Sequence, residues 1–218
     1  MSGMGLRSFV AAIAVSGFTA IVVAQATVAP AREETTAARF AFGTWLDLTH
    51  PFDAATIYWP TEKGFQFEPG NNGPNPKGYY YAANRFATAE HGGTHLDAPR
   101  HFAEGRHTAD QIELERLVGA AAVPLLRFSG LAPERAKWLV EHRRVKAVGI
   151  DTASIDHGPS TLFGSHVVLC KADTPIFENL AGLDPLPEEG AFVVALPMKN
   201  AGGSGGPLRV LARLPDDE

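Results

Sequence analysis

The chain has 218 residues, a formal net charge of −5 at pH 7 and a single cysteine. This length fits one folded domain, and a mildly acidic chain without a run of lysine or arginine does not indicate binding to nucleic acid. The single cysteine, Cys170, excludes an internal disulfide framework and a thiolate cluster for zinc. Because Cys170 lies in an apolar run, we expect a buried and unreactive thiol.

The N-terminal residues have the pattern of an export signal. A positive residue, Arg7, precedes an apolar stretch from Phe9 to Val23, and Ala24-Gln25-Ala26 is a small-x-small cleavage site. An uncleaved membrane anchor is the alternative, but the apolar stretch is short for a span and contains polar residues and glycine.

We therefore predict a signal peptide over residues 1–26, a flexible leader over 27–39 and one folded domain over 40–218. The mature protein is expected to be periplasmic or secreted, with no stable membrane anchor.

The first part of the domain has one clear strand and one clear loop. Residues 44–49 alternate between apolar and polar and predict a strand, whereas residues 68–77, rich in Gly, Asn and Pro, predict an exposed loop. Residues 79–81 and 85–89 are predicted to form the strand that precedes the next motif. Trp59 is either an anchor of the core or a wall on which a substrate stacks.

The segment from His91 to Phe102 concentrates the chemistry of the chain. It contains three histidines and one aspartate: His91, His95, Asp97 and His101. On a helix Asp97 would point away from the face that His91 and His95 share, and the neighbouring glycines and proline disfavour a helix. In an extended segment all four side chains point the same way. A single histidine beside a carboxylate is often only a satisfied polar pair, but four such groups are better explained by a site for zinc or manganese.

The second half alternates strands with a few helices, which predicts an α/β or α+β fold. The predicted elements are a turn or helix near 108–117, a strand over 120–128, a helix over 132–141, and strands over 147–151, 167–170 and 192–196. Asp156 and His157 are expected to support other groups rather than bind an ion directly. Residues 202–207 form a glycine-rich segment that we interpret as a tight turn near the site.

The run HGGTHLDAPRHF resembles the signature of the metal-dependent cyclase-like hydrolase family, which includes bacterial kynurenine formamidase and isatin hydrolase. Further similarity lies in Trp59-Pro60, in residues 149–158 and 195–199, and in the spacing from His166 to Glu178. The resemblance extends from about Leu46 to Ala212.

This resemblance implies a mixed, strongly twisted sheet or barrel-like core flanked by helices. It implies metal ligands at His91, His95, Asp97, His166 and Glu178, with Asp97 bridging two divalent ions, zinc or manganese, in each chain. His101 would be the general acid/base, and Trp59 would line the pocket of a small aromatic substrate. Isatin hydrolase-like members are expected to carry glutamine near position 178, so Glu178 favours the formamidase-like arrangement with two metals.

The chain also departs from the family pattern. Between Ala122 and Leu131 the family would carry further strand and helix segments, so the middle of this chain is shortened. The resemblance implies hydrolysis of a C–N bond in a small amide or cyclic amide, an aryl formamide or an isatin-type ring. The alternatives are a metal-binding homologue impaired by the shortened middle, and a lactone or ester hydrolase with the same site. A homo-oligomer is also expected.

Overall fold

The structure is a computed structural model that describes residues 20–23, 43–123 and 130–215. Within these ranges the strands are β1 (Ala20–Val23), β2 (Trp45–Asp47), β3 (Gln66–Glu68), β4 (Asn72–Pro74), β5 (Tyr80–Ala82), β6 (Arg85–Ala87), β7 (His95–Asp97), β8 (Val118–Ala122), β9 (Ala147–Ile150), β10 (Ile176–Glu178), β11 (Ala191–Pro197) and β12 (Gly205–Arg213). The α-helices are α1 (Leu114–Leu117), α2 (Pro133–Trp138) and α3 (Gly164–Lys171). Short 3-10 helices cover Pro99–His101 and Ala109–Gln111, and one wide π turn, Leu139–Arg143, extends α2.

Eight strands form one mixed sheet in the order β11-β8-β1-β9-β10-β7-β12-β2. The sheet curls so strongly that β11 also pairs with β12 along the register from Phe192↔Arg213 to Pro197↔Leu208. Only β9 and β10 run parallel; the other pairs in this sheet are antiparallel among the residues described. The predicted α+β fold with a barrel-like core and few helices is confirmed.

Alternation along the strands divides the apolar core between two faces of the sheet. In β10, Phe177 packs with Leu96 of β7 in one cluster, whereas Ile176 packs with Leu169 of α3 in the other. Because successive side chains of a strand point to opposite faces, Glu178 shares the face of Ile176, which is the side covered by α3. The strand alternation therefore directs the polar residue of β10 toward the helices.

Helix α3 corrects one prediction from the sequence. The sequence predicts a strand over residues 167–170 with His166 before it, but these residues belong to α3, whose buried residues are Ser165, His166, Leu169 and Cys170. This spacing of one, three and four residues is helical, and a short apolar run does not by itself distinguish a buried helix from a strand. Cys170 is buried as predicted, and its burial raises the pKa of the thiol to about 12.

Two small two-stranded sheets lie in this region, and of the loop predicted over residues 68–77 only Glu68 and Asn72–Pro74 are in strands. β3 pairs with β6, and β4 pairs with β5, as separate two-stranded sheets. The single strand predicted from residues 79–81 and 85–89 is therefore wrong, because these residues belong to different two-stranded sheets. The segment is nevertheless exposed, as predicted for a loop.

The glycine-rich segment is also only partly a turn. Its last three residues, from Gly205 to Pro207, begin β12 and pair with β7 in the register Gly205↔Asp97 to Pro207↔His95. The helix predicted over 132–141 is present as α2 and its π turn. It begins at Pro133, where the missing N–H of proline costs no hydrogen bond.

Strand β1 lies within the predicted signal peptide. Its backbone pairs antiparallel with β8 on one side and, over four register pairs from Ala20↔Ile150 to Val23↔Ala147, with β9 on the other. The rest of the predicted signal and all of the predicted leader lie outside the described residues, as do residues 124–128 of the strand predicted over 120–128. Export to the periplasm or medium stays a prediction. Within the described part of the chain, no helix combines the length and the apolar character needed to cross a membrane.

Candidate metal centre

Strand β7 presents His95 and Asp97 on one face of the sheet, as their even spacing predicts. Its neighbour β10 places Glu178 directly opposite His95, since the two strands pair antiparallel in the register Glu178↔His95. The result is a short separation of 3.6 Å between His95 Nε2 and Glu178 Oε2, and of 3.2 Å between His95 Nε2 and Asp97 Oδ1. Three side chains from adjacent strands thus converge on the helical side of the sheet.

Helix α3 adds His166 from above this face. Its Nε2 atom lies 3.1 Å from Asp97 Oδ2 and 3.1 Å from Glu178 Oε1, although 69 residues separate His166 from Asp97. Asp156 holds the other ring nitrogen, Nδ1, at 2.5 Å. The same carboxylate accepts the backbone N–H groups of Ser165 and His166 at 2.8 and 3.2 Å, at the positive end of the helix. Asp156 therefore supports His166, as expected from its position.

His91 and His101 complete the cluster without being part of a strand. His91 Nδ1 lies 2.7 Å from Asp97 Oδ1, and the ring of His101 stacks on the ring of His91 with centroids 3.7 Å apart. The prediction that one extended segment aligns positions 91 to 101 is wrong in detail, because only residues 95–97 are a strand and His101 lies in a 3-10 helix. The turn after Pro99 brings the His101 ring back over the cluster.

Glycines allow the chain to approach the site closely. A Cβ atom on Gly92 would overlap the Tyr58 ring, so a larger residue would displace the segment that carries His91. Gly93 has φ +59°, a left-handed conformation that favours glycine, and its carbonyl accepts the hydrogen bond of His95 Nδ1 at 3.0 Å. This bond leaves His95 Nε2 facing the carboxylates.

The buried carboxylates of the cluster favour the protonated, positively charged forms of His95 and His166. Burial alone would lower the pKa of His95, but the hydrogen bond and charge of Asp97 and the charge of Glu178 raise it to about 9. Burial is likewise outweighed at His166, where hydrogen bonds to Asp156, Asp97 and Glu178 raise the pKa to about 12.

The two central carboxylates respond in opposite directions. Burial would raise the pKa of Asp97, but hydrogen bonds from His166, His91 and His95 hold it well below its usual range. Burial and the charge of Asp97 raise the pKa of Glu178. Protons on the histidines balance the carboxylates when no cation is bound, and a divalent cation would replace those protons.

The donor atoms fit divalent ions. His95, Asp97 and Glu178 offer ligand atoms within 4.8 Å of one another, and His91, Asp97 and His101 do the same. Asp97 belongs to both groups, so its carboxylate lies where it could bridge two ions. Imidazole nitrogens with carboxylate oxygens are a donor set that suits borderline divalent metals.

Comparison with known proteins agrees with this chemistry. Residues 46–127, which contain the whole histidine motif, match the family model named Cyclase. A kynurenine formamidase of Erythrobacter litoralis is 29% identical over 207 positions, covering 78% of this chain and 94% of the relative.

The solved structures show the same fold. Isatin hydrolase A from Labrenzia aggregata, in a complex with benzyl benzoate, superimposes with a TM-score of 0.70 at 23% identity, covering 79% of this chain and 94% of that one. A protein described as a predicted metal-dependent hydrolase from Bacillus stearothermophilus gives a TM-score of 0.63 at 24% identity, covering 79% and 98% of the two chains. The chain is therefore similar to the cyclase family of metal-dependent hydrolases, with the family model matched over residues 46–127.

The aligned part of this chain is shorter than the part of the relative that it matches. Because 78% of 218 residues is about 170 residues, about 37 of the 207 positions aligned with the Erythrobacter litoralis protein have no residue here. The shortened middle between Ala122 and Leu131 stays a prediction.

Trp59 stands at the outer end of a row of aromatic rings. It is 49% exposed, which argues against a core anchor, and its ring lies edge-on to Phe163 at 6.1 Å. Phe163 lies 5.4 Å from Phe102, and Phe102 lies 4.6 Å from the ring of His166. We call Trp59, Phe163 and Phe102 the aromatic wall, because their rings form a row from the exposed Trp59 to His166 of the cluster.

Sequence reasoning missed several residues of this site. Phe102 ends the histidine motif but has no predicted role, and Phe163 carries no sequence signal because nothing links it to Trp59 before the chain folds. Glu90 and Ser204 were also missed, although Glu90 directly precedes the motif and Ser204 interrupts a run of glycines. Ser204 contacts His91, and Glu90 contacts Ser204.

Proposed function

We propose that this protein hydrolyses the C–N bond of a small aromatic amide, an aryl formamide or an isatin-type ring. The observation that carries the proposal is the convergence of His95, Asp97, Glu178 and His166 around a point that requires cationic charge. Relatives named as kynurenine formamidases and isatin hydrolases support the choice of bond. The aromatic wall supports an aromatic substrate, because its faces and edges can pack against a planar ring.

The cofactor in this proposal is zinc or manganese, with two ions per chain. His91, His95, Asp97, His166 and Glu178 would hold them, with Asp97 between the two. A divalent ion supplies Lewis-acid chemistry, polarising a carbonyl group and making water nucleophilic near neutral pH. The support for two ions is that Asp97 is shared by both groups of donor atoms.

His101 is the proposed proton carrier. Burial lowers its pKa to about 4, against an opposing effect of the Asp97 charge, so the ring is neutral at pH 7 and can accept a proton. Its stacking on His91 keeps it beside the cluster, and it can then donate that proton to the departing nitrogen. His101 also lies close enough to Asp97 to be a ligand, so metal content must be measured with activity.

A homo-oligomer is part of the proposal. The two small two-stranded sheets expose large side chains, among them Phe67, Tyr80 and Phe86 at 57%, 66% and 57% exposure. Isolated two-stranded sheets are only marginally stable, and exposed apolar clusters of this kind are typical of contacts between chains. Light scattering on the eluting protein should give a multiple of 23.3 kDa, and Phe67→Lys should reduce that mass.

One alternative is a metal-binding protein without turnover, which the gap of about 37 positions favours. A lactone or ester hydrolase would use the same donors. Turnover of an aryl formamide, isatin and an aryl lactone should be measured on the metal-reconstituted chain and on His101→Asn. We expect hydrolysis of an amide by the wild type and a loss of about 10²–10⁴-fold in His101→Asn with unchanged metal content. Metal binding with no turnover on the panel would contradict the proposal and favour the first alternative.

A further inference from the structure

The glycine-rich segment before β12 places a serine hydroxyl between the metal centre and a carboxylate. Ser204 Oγ lies 2.9 Å from His91 Nε2 on one side and donates to Glu90 Oε2 at 2.6 Å on the other. A hydroxyl has a single hydrogen, and here the carboxylate accepts it. Ser204 Oγ must therefore accept its second hydrogen bond from His91, so Nε2 of His91 carries a proton.

Glu90 is held by donors on both carboxylate oxygens. Asn200 Nδ2 donates to Oε1 at 2.6 Å, and the backbone N–H of Ser204 donates to Oε2 at 2.9 Å. With the Ser204 hydroxyl this makes three hydrogen bonds, which fix the carboxylate and with it the direction in which Ser204 Oγ donates.

The glycines on either side of Ser204 make this contact possible. A Cβ atom on Gly203 would overlap Asn200 Nδ2, and one on Gly205 would lie 2.5 Å from His91 Cε1. Either would push the loop away from Glu90 or His91. The composition of this segment is thus explained by close packing against the imidazole and its supporting carboxylate.

The consequence lies on the other side of the His91 ring. Nδ1 lies 2.7 Å from Asp97 Oδ1, so in the metal-free chain a proton on Nδ1 can donate to that carboxylate. When a cation displaces this proton and Nε2 keeps its own, Nδ1 presents a lone pair. Two acceptors at this distance repel each other unless a positive charge lies between or beside them. They are suitably placed to bind one cation together.

We propose that Glu90 is a positioning residue that acts through Ser204 to fix the tautomer and orientation of His91, with Nδ1 as its metal-binding atom. This inference rests on the metal centre of the proposed function and adds to it two residues outside the ligand set. Hydrogen-bond partners of this kind typically contribute 10–100-fold to the metal affinity of the histidine that they hold.

The test compares Ser204→Ala, Glu90→Gln and the double variant in the full chain. Thr161→Ala, which removes an exposed hydroxyl, and Glu188→Gln, which neutralises an exposed carboxylate, are the matched controls. Zinc and manganese affinity is measured by competition with a chromophoric chelator. We expect each single variant to lose about 10–100-fold and the controls to change little. Because Glu90 acts through the Ser204 hydroxyl, the metal affinity of the double variant should equal that of Ser204→Ala within about twofold. Additive losses would contradict action through Ser204.

A second readout does not depend on metal binding or turnover. Two-bond ¹H–¹⁵N spectra of metal-free protein labelled at histidine report which ring nitrogen carries the proton. We expect a proton on Nε2 of His91 in the wild type, and loss of that proton in part of the Ser204→Ala and Glu90→Gln molecules. The same protonation of Nε2 in all three would overturn the inference. If the wild type binds no metal but the variants show the expected change at His91, the proposed function is contradicted. The positioning role of Glu90 and Ser204 is still supported in that case.

Discussion

Replacing Asp156 tests a residue that supports the metal centre without being one of its proposed ligands. The Asp156 carboxylate accepts the buried N–H groups of Ser165 and His166 and also holds His166 Nδ1 at 2.5 Å. In Asp156→Ala these three groups lose their acceptor. In Asp156→Asn one oxygen can still accept from Ser165, but the amide nitrogen cannot accept from His166.

The expected magnitude follows from these contacts. A buried donor left without a partner costs about 1–3 kcal/mol, so the loss of two backbone acceptors lowers the free energy of unfolding by about 2–6 kcal/mol in Asp156→Ala. For Asp156→Asn we expect about half of that. These losses are a large part of a total stability of about 5–15 kcal/mol. The helix that carries His166 should lose order first, because both backbone acceptors lie at its N-terminus.

The assay is guanidinium chloride unfolding in the presence of a chelator, with Asp184→Asn as a control at an exposed position. We expect the midpoint of Asp156→Ala to fall by roughly 0.5–1.5 M. Metal affinity, measured without the chelator, should fall about 10–100-fold in both variants at Asp156. An Asp156→Ala protein with wild-type midpoint and wild-type metal affinity would refute the supporting role.

The same carboxylate predicts a dependence on pH. Burial opposes the effect, but hydrogen bonds from His166 and Ser165 lower the pKa of Asp156 below 3.8. A depressed pKa contributes stability above the unfolded value and loses it as pH falls through the folded value. The wild type should therefore lose stability below about pH 4 more steeply than Asp156→Asn, and parallel curves would contradict this assignment.

Three further experiments, two on variants and one on the wild type, test separate predictions. Glu178→Gln removes a charge from the cluster, so elemental analysis should show occupancy falling toward one metal per chain; an unchanged ratio would show that Glu178 is not needed for the second ion. Because the pKa values of His95 and His166 are raised to about 9 and 12, metal binding at pH 7.5 should release about two protons. Calorimetry in buffers of different ionisation enthalpy measures this number, and release of no protons would contradict ligation by these histidines. A chain beginning at Thr27 lacks β1, so the edges of β8 and β9 lose their partner and the unfolding midpoint should fall; an equal midpoint would show that β1 adds no stability.

The sequence predicts the centre of the site better than its surroundings. His95 and Asp97 lie on one strand, so their shared parity was sufficient to place them on one face. His101 reaches the cluster through a 3-10 turn, which a parity argument cannot describe. The contribution of His166 depends on α3 packing across β10, a contact between residues far apart in sequence. The family resemblance, rather than a local pattern, was what identified His166.

The fold shows the same division between local and long-range information. The helix beginning at Pro133 has a local start signal and was predicted correctly. The short apolar run over 167–170 satisfies both helix and strand patterns, and tertiary packing of Leu169 and Cys170 decides for the helix. Strand β1 could not be predicted either, since its apolar residues fit an export signal, and its pairing depends on the separation of β8 and β9.

The most direct test of the account is a metal titration of the metal-free chain with turnover of an aryl formamide as the readout. We expect no hydrolysis without metal, and a rate that rises with added zinc or manganese until about two ions are bound per chain. His95→Ala, treated identically, should bind less metal and show no rise. Hydrolysis that is unaffected by complete removal of metal would contradict the assignment of this cluster as the catalytic centre.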